Sequence, residues 1–411
     1  MTAGVRGGDP GTGLTAPAGG PAAHDVLSVQ GALPAGLDGC FLLSGAHPVT
    51  AARSGGGAVA GPHVFSGIRL GGGEAWWLRA ELPVRRDDPL GPVPALAPSL
   101  WFADRRPSGG EGPGPAAFAR PVREAGGTHW HTIATYPGLD QAEHLVAAPD
   151  GAIVRAEPFS LPGAPLMQAV GLTRRYVVVL DLPVVHSRAA ELIGARLPYV
   201  WKPGRPARIG LLPRDAQGAE PRWTQIEPCY VPHVVNAYDD GDQVVLDGVS
   251  RARAFSSPEE PDRPHLRRWV LDAATGSVTT RRLVDGLETA VLDERASGRA
   301  GRFVFGTANS ADGPRIVVHD LATGLSGEHA LRPGLRVGRP VFAPDPHCAQ
   351  EGAGWLVVPV QDAARRCGEL RVFDALAVGG PPRAVVRLPV APPAGWRTAW
   401  CAASVPETVT G

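Results

Sequence analysis

The sequence predicts an all-β protein, specifically a seven-bladed β-propeller, from three observations. Glycine and proline are frequent throughout, with 53 and 43 among 411 residues, which leaves little room for long helices. The segments between them are short, β-branched and often alternating, as in RYVVVLDLPVV (175–185) and WLVVPVQD (355–362). The third observation is a strand–turn–strand pattern that recurs toward the C-terminus.

The recurring pattern is an apolar strand that ends at an aspartate, followed by a short turn and a second strand. Asp272, Asp320 and Asp374 mark it, at intervals of 48 (320 minus 272) and 54 (374 minus 320) residues. Aspartate suits such a turn because it bonds its own backbone two residues on, and glycine accepts the positive φ. A repeat of about 50 residues is the size of one four-stranded blade and gives about seven blades. A two-domain β-sandwich is the alternative.

The chain divides into two parts. Residues 1–23 are a tail rich in Gly, Pro and Ala, predicted to be disordered because it has almost nothing to bury. Residues 24–411 are predicted to form a single β-propeller domain, with loops that cap an axial site.

Composition restricts the partners. Forty basic and forty acidic residues give a formal charge of zero, so no basic field attracts nucleic acid, and a small-molecule substrate is expected. The five cysteines are widely spaced without a C-x-x-C pair, which argues against a disulfide framework or a zinc ribbon and for a reducing compartment. No apolar run approaches a transmembrane segment and no signal pattern opens the chain, so a cytoplasmic protein is expected. The oligomeric state stays open.

Several motifs occur in the order found in one enzyme family. They are GALPAGLDGCFLLSGAHP (31–48), YVPHVVNAYDD (230–240), LRRWVLDAATG (266–276), GRPVFAPDP (338–346), GWLVVPVQD (354–362) and RLPVAPPAGWRTAW (387–400). From Gly31 onward the chain resembles the carotenoid cleavage oxygenases, which include stilbene-cleaving dioxygenases. The resemblance implies a seven-bladed propeller whose axial Fe²⁺ is held by four histidines that outer glutamates orient. It also implies cleavage of a C=C bond of a carotenoid, apocarotenoid or stilbene by dioxygen.

The resemblance aligns the four ligand positions with Arg120, Gln168, His233 and Arg397, so three of the four histidines are replaced. An arginine has no lone pair to offer and stays charged, so it cannot stand in for an imidazole. We therefore expect no catalytic iron and no other cofactor. Among the outer glutamates, the position in GRPVFAP is Arg339.

The altered site predicts recognition of an acidic ligand. Guanidinium groups match carboxylates, so Arg120, Gln168 and Arg397 are predicted to bind a carboxylate-bearing, partly apolar metabolite, with Trp396 lining the pocket. His233 is predicted to exchange protons near neutral pH, and Glu288, which matches a family glutamate, to set its tautomer. Further candidates nearby are Tyr136, Tyr230 and Asp239.

The predicted function is a metal-independent enzyme that carries out isomerase, cyclase or lyase chemistry. One alternative is a non-catalytic ligand-binding protein, in which His233 is a packed remnant and Arg120, Arg339 and Arg397 form inter-blade salt bridges. The other is an Fe²⁺-dependent dioxygenase. His129 and His131, two residues apart on a predicted strand, are candidates for displaced ligands in a rearranged site.

Overall fold

The computed structural model describes residues 25–46, 63–81, 117–195, 197–255, 262–310, 312–362, 364–365, 367–388 and 397–403. The predicted tail (1–23) and Trp396 lie outside these ranges, and Arg397 is described by its backbone alone. Nearly all regular structure in the described ranges is β-strand, so the prediction of an all-β protein is confirmed.

The strands of the first half of the chain are β1 (Asp25–Val26), β2 (Val29–Gly31), β3 (Gly39–Ala46), β4 (His63–Gly71), β5 (Glu74–Glu81), β6 (Ala117–Phe118), β7 (Val122–Arg123), β8 (Trp130–Thr135), β9 (Gln141–Ala147), β10 (Ile153–Ser160), β11 (Gly171–Leu172), β12 (Tyr176–Asp181), β13 (Val184–His186), β14 (Tyr199–Trp201), β15 (Ala207–Pro213) and β16 (Arg222–Ile226). A short helix, α1 (Arg188–Leu192), links β13 to β14 and is capped by the Ser187 side chain.

The strands of the second half are β17 (Tyr230–Asp240), β18 (Gln243–Arg251), β19 (His265–Asp272), β20 (Val278–Asp285), β21 (Thr289–Val291), β22 (Phe303–Ala308), β23 (Arg315–Asp320), β24 (Ser326–Ala330), β25 (Leu335–Val337), β26 (Val341–Pro344), β27 (Gly354–Asp362), β28 (Cys367–Asp374), β29 (Ala384–Leu388) and β30 (Arg397–Ala402). Two 3₁₀ turns, Glu294–Ala296 and Ala375–Ala377, interrupt them.

These strands form antiparallel sheets that follow one another along the chain. Sheet 1 has the order β1-β5-β4-β3-β30, sheet 2 joins β10-β9-β8-β6 with β7, sheet 3 is β11-β12-β15-β16, sheet 4 is β17-β18-β19-β20, sheet 5 is β21-β22-β23-β24, and sheet 6 is β2-β29-β28-β27-β25 with β26. A separate hairpin pairs β13 with β14. Successive four-stranded meanders are the units of a propeller. The described residues do not fix the number of blades, so seven blades stays a prediction.

The two ends of the described chain close the arrangement. Strand β30, the last in sequence, pairs with β3 in sheet 1, while β2 pairs with β29 in sheet 6. Each of these sheets therefore combines strands from both ends of the chain. The contacts resist opening because separating the two ends would strip edge pairing from two sheets at once.

The sheets bury both of their faces because each packs between neighbours. In β18, the seven residues from Val244 to Ser250 are all buried, although Asp247 lies among them. Asp247 is tolerated there because Arg268 on β19 donates two hydrogen bonds to it, at 2.7 and 2.8 Å. The buried apolar clusters likewise combine side chains of adjacent sheets, as where Phe305 of sheet 5 stacks on Phe342 of sheet 6.

The aspartate turns behave largely as predicted. Asp272 ends β19 and accepts hydrogen bonds from the backbone of Ala274 and Thr275, and Asp320 ends β23 and accepts one from Ala322. Glycines 276 and 324 complete these two turns at φ +74° and +75°. Asp374 ends β28 but caps no turn with its side chain, because a 3₁₀ turn follows and the carboxylate pairs with Arg383 instead.

Candidate functional site

A closed ring of contacts joins all six sheets at one place. Between sheets 2 and 3, the backbone of Arg120 donates to Gln168 O (3.0 Å), and between sheets 3 and 4 the Tyr230 hydroxyl donates to Gln168 Oε1. His233 of sheet 4 contacts sheets 5 and 6 through its Nε2, which lies 2.7 Å from Ala290 O and 3.0 Å from Arg339 Nη2. Thr398 of sheet 1 closes the ring, because its Oγ1 donates to Arg339 O (3.2 Å) and its carbonyl accepts from Arg120 Nη2 (3.3 Å). In a propeller all blades meet around the central axis, so a ring that joins all six sheets lies at that axis. We call Arg120, Gln168, Tyr230, His233 and Arg339 the axial cluster.

Each sheet contributes the end of a strand or the segment beside one. Arg120 follows β6, Gln168 precedes β11, and His233 lies on β17, where the register with β18 shifts between Tyr230 and His233. This irregularity turns the side chains of β17 away from strict alternation. The sequence-predicted residues Arg120, Gln168 and His233 are therefore brought together.

The hydrogen bonds fix the tautomer of His233. A carbonyl oxygen can only accept, so the 2.7 Å contact with Ala290 O requires that Nε2 carry the proton. Nδ1 then holds the lone pair and accepts from Arg339 Nη1 at 3.4 Å, whereas the 3.0 Å approach of Arg339 Nη2 to the protonated Nε2 joins two donors and is not a hydrogen bond. Sequence reasoning gave the orienting role to Glu288. In the structure the Ala290 carbonyl performs it, while Glu288 accepts a hydrogen bond from Asn309 at 2.8 Å.

The surroundings of His233 keep its ring neutral. Burial lowers its pKa well below the ordinary 6.5, and the positive charges of Arg339 and Arg120 lower it further, against a smaller opposing effect of the Ala290 hydrogen bond. The residue as a whole is half-buried. The expectation that His233 exchanges protons near neutral pH therefore does not fit these surroundings, since a protonated ring would meet two guanidinium groups.

Gln168 and Tyr230 form the opposite side of the cluster. The hydroxyl of Tyr230 donates to the amide oxygen of Gln168. Burial raises the pKa of Tyr230 to about 12, so its phenol stays protonated and acts as a donor. Gln168 is among the exposed residues, and its amide is therefore open to a ligand.

Glu294 is a charged neighbour of the cluster that sequence reasoning missed. Its carboxylate lies within electrostatic reach of Arg120, Arg123 and Arg339, and burial raises its pKa against the pull of these arginines. Protein surrounds Glu294 on most sides, yet the residue keeps an exposed surface. The Asp-Glu-Arg triplet 293–295 carries no pattern that separates this carboxylate from an ordinary surface residue.

A buried ion pair anchors the segment that presents Glu294. Asp293 is fully buried, accepts from the backbone of Arg295 and of Gly352, and pairs with the Arg295 guanidinium at 2.7 Å. The same guanidinium donates to the carbonyls of Cys348, Gln350 and Ala353, all in the loop that joins β26 to β27 of sheet 6. The 3₁₀ turn is thus held rigidly between sheets 5 and 6.

The axial cluster offers hydrogen-bond donors rather than free lone pairs. In the part of the chain that the structure describes, no three side chains of His, Cys, Asp or Glu gather closely enough to hold a metal ion. The available metal-ligating atoms are Nδ1 of His233, which faces Arg339, and Oε1 of Gln168, which faces Tyr230. A guanidinium group cannot coordinate a metal because it has no lone pair.

The remaining predicted residues lie elsewhere. Tyr136 donates to the buried carboxylate of Glu143 at 2.5 Å, and Asp239 accepts from Thr173 and Arg175 at the outer end of β17. His129 is half-exposed, 3.8 Å from Glu124.

The side chain of His131 is buried and contacts His144, whereas the sequence analysis considered it together with His129 as a displaced metal ligand. Its Nδ1 lies 3.0 Å from Nε2 of His144, and the two rings stack with centroids 5.2 Å apart. Nε2 of His131 is buried without a hydrogen-bond partner in the described residues. Burial lowers the pKa of His131 to about 4 and that of His144 to about 3. The pair lies between sheets 2 and 3, and neither ring belongs to the axial cluster.

No helix among the described residues is long and apolar enough to cross a membrane.

The family model of the retinal pigment epithelial membrane protein matches residues 124–402. Among curated proteins, a carotenoid cleavage oxygenase of Mycobacterium tuberculosis is 29% identical over 339 residues, covering 69% of this chain and 67% of that protein. An isoeugenol monooxygenase of Pseudomonas putida is 26% identical over 280 residues, covering 61% of this chain and 57% of that protein.

Solved structures share the fold. The lignostilbene dioxygenase of Pseudomonas brassicacearum superposes with a TM-score of 0.76 at 18% identity, over 92% of this chain and 95% of that one. Cobalt-substituted apocarotenoid oxygenase of Synechocystis gives 0.73 at 18% identity, over 93% and 96%. At this identity the likeness concerns the fold alone.

Proposed function

The chain belongs to the family of the retinal pigment epithelial membrane protein and the carotenoid cleavage oxygenases, and we propose that it uses their propeller without catalytic iron. On this proposal it binds a carboxylate-bearing, partly apolar small molecule and performs non-oxidative acid–base chemistry on it. The observation that carries the proposal is the contact between the Arg339 guanidinium and the His233 ring. The resemblance implies a metal-ligating histidine at position 233 and an outer glutamate at position 339, where this chain has an arginine.

Electrostatics supports the exclusion of iron. A unit charge 4 Å from another costs on the order of 4 kcal/mol at an effective dielectric of about 20, and a divalent cation beside a guanidinium costs about twice that. Arg120 and Arg339 both act on His233, so a cation bound there meets two of them. The Nε2 proton of His233 is donated to Ala290, so the single lone pair of the neutral ring lies on Nδ1, which faces the Arg339 guanidinium.

The same charges suit an anion. Hydrogen bonds from guanidinium groups to carboxylates are charge-assisted and about twice as strong as neutral ones. Arg120, Arg339 and the Gln168 amide come from three different sheets, so the strand ends hold them in place without help from the ligand. On this proposal His233 is a positioning residue, because its Nδ1 accepts from Arg339 and orients that guanidinium.

Glu294 is the group best suited to move a proton. A carboxylate with a raised pKa accepts a proton from carbon more readily than an ordinary one. Removing a proton beside the carboxylate of a bound acid adds negative charge to it, and Arg120 and Arg339 stabilise that charge. The carbanion formed in this step leads to isomerisation when it is reprotonated at another carbon, to elimination when it expels a leaving group, and to cyclisation when it attacks an electrophilic carbon of the same molecule. Glu288 acts at a distance, through Asn309, which bonds the Val337 backbone near Arg339.

The test uses trans-styrylacetate and its primary amide, which share shape and differ in charge. We expect the acid to bind at least about tenfold more tightly than the amide, and Arg339→Met to remove about 1.5–3 kcal/mol of that binding. Arg336→Met, an exposed arginine three residues away, is the matched control and leaves affinity unchanged. Calorimetry measures both. Equal affinity for acid and amide, or an equal effect of the two substitutions, contradicts the proposed site.

Proton transfer is measured separately from binding. In D₂O we expect the protein to exchange the protons next to the carboxylate of bound styrylacetate, as followed by NMR. Glu294→Gln should slow this exchange by about 10²- to 10⁴-fold while affinity for the acid changes little. Binding without exchange in the unaltered protein would instead favour a non-catalytic ligand-binding protein.

A further inference from the structure

Two cysteines face each other across the strand pair that joins the two ends of the chain. Cys40 on β3 and Cys401 on β30 are direct partners in the antiparallel register. Both are free thiols and both are partly exposed. Directly opposite residues of an antiparallel pair project from the same face, so the two side chains are neighbours.

The spacing of this pair follows from the ladder. The backbone of Ala403 donates to Asp38 O at 3.1 Å, so Asp38 and Ala403 form a hydrogen-bonded pair. They follow the same register as Cys40 and Cys401 and lie two residues away along each strand. Hydrogen-bonded and non-hydrogen-bonded pairs alternate along an antiparallel ladder, so Cys40 and Cys401 also form a hydrogen-bonded pair, with Cα atoms about 5.5 Å apart. Disulfides form at Cα separations of about 4.4–6.8 Å. The backbone therefore already satisfies the main requirement for a bond.

We propose that Cys40 and Cys401 are a modification site, a cross-strand pair that a disulfide oxidant such as oxidised glutathione converts reversibly to a disulfide. One thiolate attacks oxidised glutathione, forming a mixed disulfide and releasing one glutathione thiolate. The second cysteine thiolate attacks the protein sulfur of that mixed disulfide and releases the second glutathione. The net change is two cysteine thiols and one oxidised glutathione giving one protein disulfide and two reduced glutathiones.

The bond should be reversible for a geometric reason. The Cβ atoms of facing residues lie about 4.5–5.5 Å apart, whereas a relaxed disulfide holds them at about 3.8 Å. Closing this gap strains the strand pair, and strained disulfides are more readily reduced. The site is thus suited to a bond that forms under oxidation and opens again.

The surroundings of the two thiols make the rate sensitive to pH. Burial raises the pKa of Cys40 to about 11, although the neighbouring Arg69 opposes the rise, and burial and Glu294 raise the pKa of Cys401. The thiolate is the attacking species. Oxidation should therefore be slow at neutral pH and accelerate as the pH rises toward the pKa of Cys40.

The bond would tie together the start and the end of the described chain. It joins residues 40 and 401 and so encloses most of the protein in one covalent loop, which restricts the unfolded state. Strand β30 also carries Thr398, whose carbonyl accepts from Arg120. The site is independent of the proposed function, since it rests only on strand register and exposure.

The experiment incubates the protein with oxidised glutathione at several pH values, quenches it with an alkylating agent and maps its peptides by mass spectrometry. We expect a linked peptide containing Cys40 and Cys401, two hydrogen masses lighter than its separate parts, forming faster at higher pH and lost on reduction. The midpoint of urea unfolding should rise on oxidation and return on reduction.

Matched variants separate the pair from the other thiols. Cys401→Ser should abolish both the linked peptide and the shift of the unfolding midpoint. Cys367→Ser removes a thiol of similar exposure on β28 that faces Asp362, and it should behave as the unaltered protein does. Glutathione attached separately at Cys40 and Cys401 without a link, or no shift of the midpoint on oxidation, would overturn the proposal.

Discussion

At the scale of single residues, the central feature is an arginine in contact with a histidine. Such a contact is tolerated because the ring is neutral and presents the lone pair of Nδ1 to the guanidinium. His233 is therefore a fixed acceptor, and the charge of the site comes from Arg120, Arg339 and Glu294.

The neutrality of His233 gives the first prediction. In the unaltered protein its ring should show no titration near pH 6.5 by NMR, because its pKa lies well below that value. Arg339→Met removes a positive neighbour and should raise the pKa of His233, while burial keeps it below the ordinary value. A ring that titrates near 6.5 in the unaltered protein would contradict the described contacts.

The positions of the site could be predicted from the sequence better than their interactions. The motif around YVPHVVNAYDD identified His233, and the resemblance identified Arg120 and Gln168, which the structure brings to the same axis. The Ala290 carbonyl could not be found, because a backbone acceptor leaves no trace in residue type. Glu294 was missed because its role depends on how a 3₁₀ turn of sheet 5 faces residues of sheets 2 and 6.

At the scale of elements, the Glu294 turn depends on one buried carboxylate. Asp293→Ala leaves the partly buried Arg295 guanidinium without its carboxylate partner, and breaking a pair of this kind costs on the order of 3 kcal/mol. Urea unfolding should show a loss of that order in the free energy of unfolding.

The matched control for this prediction is Asp320→Ala. Asp320, the last residue of β23, also pairs with an arginine, Arg302, but at the surface. Its loss should be much smaller because solvent screens exposed pairs. Equal losses for the two substitutions would show that the Asp293 pair does not anchor the turn.

The β8–β9 pair carries an acid-sensitive element. His131 and His144 stay neutral in the folded protein down to about pH 4 and about 3, whereas in the unfolded chain they take up protons below about 6.5. The unfolded state then binds more protons, so stability is complete above pH 6.5 and falls as the pH drops from there toward 4. Each histidine contributes about 1.4 kcal/mol per pH unit to that slope.

Urea unfolding at pH 7, 6 and 5 measures the slope. His144→Gln keeps a polar partner for His131 and should remove about half of the contribution of the pair. The control is His347→Gln, at an exposed position in the loop between β26 and β27, and its slope should match that of the unaltered protein. If both variants lose stability with falling pH as steeply as the unaltered protein, the buried pair is not the source of the acid sensitivity. The sequence indicated no such pair, because His131 and His144 meet only through the register of two strands.

At the scale of the whole molecule, the sheets and the site are one structure. The sheets are built from local meanders, which is why repeated aspartates and alternating strands predicted the all-β fold. Their closure depends on β2 and β30, which pair with strands from the opposite end of the chain. The axial cluster is assembled only when all six sheets are in place, so the fold and the binding site should be lost together on unfolding.

The most direct test of the account is the iron content of the purified protein after anaerobic exposure to ferrous iron and desalting, measured by elemental analysis. We expect far less than one iron per chain, and no change on His233→Ala, because the axial cluster opposes a cation with two guanidinium groups. Near-stoichiometric iron that disappears in His233→Ala would contradict the account and would indicate an iron-dependent oxygenase.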